Sequence, residues 1–301
     1  MNGTAPGSRA AWARVQAYLE LGKPRLSALA VFAVVAGCYM GWPMPFVPPP
    51  GDVVLGTTAG TFLIAVAAAA FNMYRERHLD LLMQRTQGRP LPSGRLLPVE
   101  ALAFGTVCAA AGVLLLLLFA NVLATLTCAV ILVSYVAVYT PMKMRTPLNT
   151  LVGAIPGGLP PVVGYVAMQN RFGMGALVLF AILFCWQIPH FLAIAWRYRD
   201  DYARAGMRML PAIDPDGART RLMMLLYTAG LGIASLVPFV TRMSGQVYLG
   251  AAVCLDVFFF VPAVFAALTR YESAMRMTFL ASIVYLPLLL LVMVLDRQVF
   301  L

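Results

Sequence analysis

Charged side chains are scarce in this sequence: they make up 11% of its 301 residues, less than half of the roughly 25% of a soluble chain. With 61% hydrophobic residues there is too little polar surface to coat a globule of this size, which excludes a water-soluble enzyme, a disordered tail and a fibrous repeat. Acidic residues are the scarcer sign, 12 against 22 basic, leaving a formal charge of +10. The basic residues stand in short breaks between apolar runs, so the excess points to a membrane surface and not to nucleic acid. The five cysteines (Cys38, Cys108, Cys128, Cys185, Cys254) are odd in number, lack CxxC spacing and lie inside apolar runs. That excludes a disulfide framework and a zinc site, and they read as small buried hydrophobes. No Gly/Ser linker or soluble-domain-sized segment interrupts the chain. We therefore expect a cytoplasmic N-terminal segment over 1–24 and a single polytopic membrane domain over 25–301.

A helix that crosses a bilayer needs about 20 predominantly apolar residues, so the charge-free intervals serve as a ruler. Spans are expected between Arg25 and Asp52 and between Asp52 and Arg75. The 42 charge-free residues between Glu100 and Lys143 hold two more, hinged near Ala120 and Asn121. Arg145 to Arg171, Arg171 to Arg197 and Arg221 to Arg242 give one each, a run containing Asp256 the eighth, and Arg276 to Asp296 the ninth. Of the 22 Lys and Arg, 19 lie at the N-terminus or in the breaks after spans 2, 4, 6 and 8. Only Arg171, Arg242 and Arg297 fall on the other side, which places the N-terminus in the cytoplasm and the C-terminus outside. Val35-Ala36-Gly37-Cys38 has the look of a lipoprotein cleavage site. The polar segment before it is long for a signal peptide, and losing span 1 would break the alternation of charge.

Charges are costly inside a membrane, so chemistry is expected in the two loops rich in both signs. The first runs from Asn72 to Pro90. Asn72, Glu76 and Asp80 stand at i, i+4 and i+8, and because each step drifts by only about 40° they share one helical face. Two carboxylates and an amide are hard oxygen ligands that suit Mg²⁺, and Arg85 and Arg89 can face phosphate oxygens. The same carboxylates can instead pair with Arg75, Arg77 or His78 on a solvated helix end. A second acidic loop, Trp196 to Gly206 with Asp200 and Asp201, follows span 6 on the same side. Two acid-and-arginine sites at the mouths of two helices can hold a diphosphate between bridging metal ions.

With these loops the chain resembles the UbiA superfamily of intramembrane prenyltransferases, whose hallmark is two acidic motifs on cytoplasmic loops, and within it the branch that farnesylates haem. Leu21-Gly22-Lys23-Pro24-Arg25 is similar to that branch's opening signature, and Asn72 to Pro90 to its NxxxDxxxDxxMxRTxxRP motif. Tyr139 to Asn149 is similar to its third motif. Trp186 to Phe191, through Asp200-Asp201-Tyr202 to Met209-Leu210-Pro211, is similar to its longest. The likeness runs in order from 21 to 211; from 212 onward only apolar character and span number agree. It departs at Glu76, where Asp is commoner, at His78, often acidic, and at Gln87-Gly88 before Arg89. The resemblance implies an all-α bundle of nine transmembrane helices around a central cavity open to the cytoplasmic side, in the inner (cytoplasmic) membrane. It implies transfer of farnesyl from farnesyl diphosphate to haem B, giving haem O and diphosphate, with Mg²⁺ as cofactor. Asn72, Glu76, Asp80, Asp200 and Asp201 are then the catalytic and metal residues, and Arg85, Arg89, Lys143 and Arg145 bind the diphosphate. A haem A synthase or a terminal oxidase is the partner such a product implies.

His190 lies in span 6, about two turns before Trp196, and an ionisable group inside a membrane is a functional candidate. The family motif makes it a candidate for the porphyrin iron or its propionates, with Trp186 beside it; a neutral imidazole hydrogen-bonded in the bundle is the alternative. Asp256 lies outside every motif and reads as a structural hydrogen-bond partner. Pro156, Gly157, Gly158, Pro160 and Pro161 interrupt span 5, as a kink or a cavity wall. Two rival functions fit parts of the sequence. A prenyltransferase for an aromatic acid or quinone precursor shares the acidic loops, but Trp186 to Phe191 argues against it. A secondary transporter needs polar groups near the midplane in broken helices, whereas here they concentrate at one face.

Overall fold

Backbone polar groups cannot go unpaired in lipid, and runs of this length meet that demand as helices. The computed structural model describes residues 6–44, 47–269 and 272–298. Its regular elements there are helices, with one isolated bridge between Ser244 and Arg297. In chain order they are α1 (Pro6–Leu21), α2 (Pro24–Gly41), α3 (Gly51–Asp80), α4 (Pro98–Phe119), α5 (Val122–Met142), α6 (Asn149–Gln169) and α7 (Met174–Arg197). Two short helices follow, α8 (Arg199–Arg204) and α9 (Leu210–Ile213), then α10 (Ala218–Val240), α11 (Gln246–Thr269) and α12 (Glu272–Leu295).

Among the described residues eight helices, α3 to α7 and α10 to α12, are long and apolar enough to cross a membrane. The chain is thus a multi-pass integral membrane protein. The first of the nine expected spans is the shorter helix α2, of 18 residues, whose described apolar stretch is Ala30–Gly41. It rises about 27 Å, close to the thickness of the hydrocarbon layer. Large apolar side chains face outward along the bundle, Val107, Ile233 and Leu268 among them, as lipid contact requires. Of the expected buried cysteines, Cys38, Cys108 and Cys128 are buried and Cys185 is half-buried, but Cys254 is exposed on the outer face of α11. An apolar thiol suits a lipid-facing surface as well as a core, so hydropathy alone did not separate the two.

The interruptions fall where the sequence has its breakers. Asn121 separates α4 from α5: its Oδ1 accepts from the Ala124 amide at 2.9 Å, and its Nδ2 donates to Val166 and Ala167 carbonyls. α6 is broken at Leu159, before Pro160, whose nitrogen has no proton to donate. α2 crosses α6 so closely that a Cβ on Gly37 would meet the Pro161 carbonyl and one on Gly164 the Val34 carbonyl. α5 contains a π-helical turn, Ser134–Tyr139, before it ends at Met142. In the N-terminal segment, α1 buries Ala17 and Leu21, and the Tyr18 ring lies tilted against Phe104 of α4 at 5.3 Å between centroids. Asp256 accepts from Tyr285 at 2.6 Å and lies 2.7 Å from the Ser235 hydroxyl, a bond between α10, α11 and α12.

Contacts between the turns define two ends. At one, Gln169 donates to the Gly41 carbonyl at 2.6 Å, and Arg297 donates to the carbonyls of Tyr39, Met44 and Val47. At the other, Lys23 meets Asn72, Lys143 meets Glu76 and Arg199 meets Glu272.

Candidate active site

The second end gathers the acidic motifs. α3 runs 30 residues, longer than a span needs, and its last turns bring the NxxxExxxD ladder to the mouth of the bundle. Asn72, Glu76 and Asp80 are all buried on one face, as their spacing predicts. They do not pair with Arg75, Arg77 or His78. Arg75 donates to the Val136 carbonyl, Arg77 lies over the Tyr74 ring, and His78 is exposed. A solvated helix end is therefore not what these residues form.

Each ladder residue meets a cation from elsewhere in the chain. Lys23 Nζ donates to Asn72 Oδ1 at 3.2 Å, Lys143 Nζ to Glu76 Oε1 at 2.7 Å, and Arg89 Nη1 to both Asp80 oxygens at 2.8 and 2.9 Å. Asn72 also donates to Thr140 Oγ1 at 3.2 Å, and that hydroxyl donates to the Tyr135 carbonyl within the π turn. The turn thus brings Thr140 to Asn72 and lays the Tyr139 ring 4.8 Å from Lys143 Nζ. Burial works against the Lys143 ammonium, but the Glu76 carboxylate beside it holds it above the ordinary lysine range. Burial, with Arg89 in reach, lowers Lys23 to about 7.

The second acidic loop closes on the first. Asp201 is buried, pairs with Arg204 and accepts from the Arg85 amide at 3.4 Å. Arg85 itself is exposed and lies over the rings of Tyr198 and Tyr202, 4.8 and 5.9 Å from their centroids. Met83 packs with Ala195, Ala205, Met207 and Met209, which fixes the two loops together. The turn after α5 is tied in as well, by Arg208 N to the Lys143 carbonyl at 2.6 Å and Asn149 Nδ2 to the Arg208 carbonyl at 3.0 Å. Asp200 and Arg145 are exposed, and their side chains make no bond among the described residues. An apolar groove of about 290 Å³ runs beside this turn between α6, α7 and α10, lined by Leu148, Leu151, Leu192 and Met223 with Arg219 at its edge.

Lys23, Thr140, Tyr139 and Tyr202 join the site although the reasoning from sequence gave them no role. Lys23 stands in the Leu21-Gly22-Lys23-Pro24-Arg25 signature, directly before the proline that opens α2. Its backbone is left-handed there (φ 47°), and its side chain bonds Asn72 of α3. Among the described residues no three His, Cys, Asp or Glu side chains converge as a metal centre. Magnesium does not need three, since it is commonly held by one or two carboxylates with water and phosphate completing its octahedron. The donors here are all hard oxygens, and Glu76, Asp80 and Asp201 each have a cation that phosphate oxygens can take over.

His190 and Trp186 lie away from the acidic loops, deeper in α7 where it faces α12. Trp186 is buried and stacks on His190 at 4.9 Å; its Nε1 donates to the Ser282 carbonyl at 2.8 Å, and His190 Nδ1 lies 2.7 Å from Ser282 Oγ.

Comparison with known proteins shows the family and the fold. A model of the UbiA prenyltransferase family matches residues 29–290. A protoheme IX farnesyltransferase from Solibacter usitatus is 45% identical over 286 residues, 93% of this chain and 98% of its own. One from Aromatoleum aromaticum is 41% identical, over 96% of this chain and 94% of its own. Among solved structures, a digeranylgeranylglyceryl phosphate synthase superposes with a TM-score of 0.77 at 17% identity, covering 94% of this chain and 98% of its own. A UbiA homologue from Archaeoglobus fulgidus bound to DMAPP and Mg²⁺ gives 0.63 at 15% identity, covering 92% and 98%. These two share the fold with this chain.

Proposed function

The chain belongs to the UbiA prenyltransferase family, and from this we infer that it transfers the farnesyl group of farnesyl diphosphate to a vinyl group of haem B, giving haem O and diphosphate. Water supplies the hydroxyl that completes the former vinyl group. The observation that carries the reading is the set of buried carboxylates, Glu76, Asp80 and Asp201, each paired with a cation (Lys143, Arg89 and Arg204), at one end of an otherwise apolar bundle. Asn72, Glu76, Asp80 and Asp201, with Asp200 on the same loop, are the residues that would hold Mg²⁺. When bound, the metal offsets the charge of the diphosphate.

Arg89 and Lys143, which neutralise Asp80 and Glu76 in the free protein, take diphosphate oxygens in the complex, joined by Arg85 and Arg145. As the allylic C–O bond breaks, its electron pair leaves with the diphosphate, and these cations stabilise the charge that develops on the departing oxygen. The vinyl electron pair forms the new C–C bond. Water then adds to the resulting cation and loses a proton. His190 and Trp186 are the acceptor contacts, and the acidic end faces the cytoplasm of the inner membrane, where the basic residues concentrate. Purified protein given haem B, Mg²⁺ and farnesyl diphosphate should yield a product heavier by one farnesyl group and one hydroxyl group. Haem left unchanged while 4-hydroxybenzoate is prenylated would move the assignment to an aromatic acceptor.

A further inference from the structure

Ser282, midway along α12, touches both members of the His190–Trp186 pair. Its backbone oxygen accepts from Trp186, and its hydroxyl lies against His190 Nδ1. That hydroxyl has a single proton, and the geometry gives it another use: Oγ donates to the Phe279 carbonyl at 2.6 Å, one turn back in the helix. With that proton committed, Oγ meets His190 as an acceptor. The ring proton then sits on Nδ1, and Nε2 keeps its lone pair.

The ring is also held on its faces, 4.9 Å from Trp186 and 5.1 Å from Phe279. Nε2 has no bond among the described residues. Among the described residues the fully buried side-chain atoms left without a partner are Trp42 Nε1, Thr57 Oγ1, Thr58 Oγ1 and Trp196 Nε1; Nε2 of His190 is not one of them and so keeps some exposure. A histidine that ligates iron commonly donates its other ring N–H to a fixed oxygen, which sets both tautomer and ring orientation.

We propose that Ser282 is a positioning residue for the acceptor: it fixes His190 as the Nδ1–H tautomer and thereby presents Nε2 to the haem iron. The purpose of this arrangement rests on the haem reading above; the tautomer itself does not. The chain has only two histidines, so nitrogen NMR can read His190 directly in the full-length, ¹⁵N-histidine-labelled protein in detergent, with His78→Gln removing the other signal. In the wild type Nδ1 should be protonated and Nε2 bare. Ser282→Ala should mix or reverse the two forms, and Ser282→Thr, which keeps a hydroxyl, should restore them. The alanine variant retains the backbone carbonyl that holds Trp186. It should bind haem B about 10-fold more weakly or worse, with farnesyl diphosphate binding unchanged. An Nε2–H ring in the wild type overturns the proposal without recourse to any variant, as does an unchanged tautomer in a folded Ser282→Ala. If the tautomer follows Ser282 but haem B leaves the wild-type Nε2 signal unmoved, the positioning of His190 stands and the haem acceptor falls.

Discussion

Asp80 and Asp201 carry the same carboxylate in unequal surroundings, and the inequality separates an effect on chemistry from one on folding. Asp80 is fully enclosed, with Arg89 Nη1 within 2.9 Å of both oxygens. Removing one member of such a buried pair leaves an unmatched charge, at a cost of about 3–5 kcal/mol. Asp201 pairs with Arg204, a half-exposed side chain three residues on, which water can solvate when the partner is lost. Asp201→Asn should therefore cut turnover by about 10²-fold or more while leaving the melting temperature near that of the wild type, whereas Asp80→Asn should lower both. Near-normal turnover in a folded Asp201→Asn would return the second acidic loop to a structural role. The ladder itself was legible from spacing, because i, i+4 and i+8 lie on one face whatever surrounds them. Its partners were not. Lys143 stands 67 residues from Glu76, and no local pattern reports which distant cation a fold will deliver.

At the scale of elements, the sequence announces where helices stop more clearly than how closely they pack. Asn121 and the Gly158–Pro160 break are visible as polar or proline interruptions in apolar runs. The π turn that brings Thr140 to Asn72 is not, since Ser134–Tyr139 has no breaker and reads as continuous helix. Nor is the α2–α6 crossing, where Gly37 and Gly164 let two backbones touch; a glycine among alanines and valines looks like any other small residue until its neighbour is known. Because a side chain at Gly164 would meet backbone rather than a movable side chain, Gly164→Val should separate the helices and lower the melting temperature, at a cost of about 1–3 kcal/mol. Gly250, in α11 with nothing within reach of an added Cβ, is the matched control. Gly250→Ala should be neutral or stabilise slightly, by up to about 1 kcal/mol. Equal loss in both variants, measured by thermal unfolding in detergent, would show that helix contact at the crossing is not what matters.

For the whole molecule, the asymmetry of charge and the geometry of the turns bear on the same question from independent sides. Of 22 basic residues, 19 were assigned to one side from sequence. Those whose side chains are described lie with the turns that carry the acidic ladder, among them Lys23, Arg89, Lys143 and Arg199. Arg297 lies at the opposite end, bonded to the α2–α3 connection. The chain that leaves Lys23 at one end thus arrives at Arg297 at the other, as an odd number of crossings requires. α2, of 18 residues, is the helix on which a ninth crossing depends. If the positive-inside tendency sets the orientation, the acidic end faces the cytoplasm. A reporter inserted at Gly94, in the exposed loop between α3 and α4, should then be cytoplasmic. One fused after Leu301, which lies outside the described residues, should be on the far side of the membrane. Both reporters on one side would mean an even number of crossings, with α2 or another helix lying in the interface. Both in the reverse places would leave the fold intact and turn the acidic mouth outward, away from a cytoplasmic supply of prenyl diphosphate.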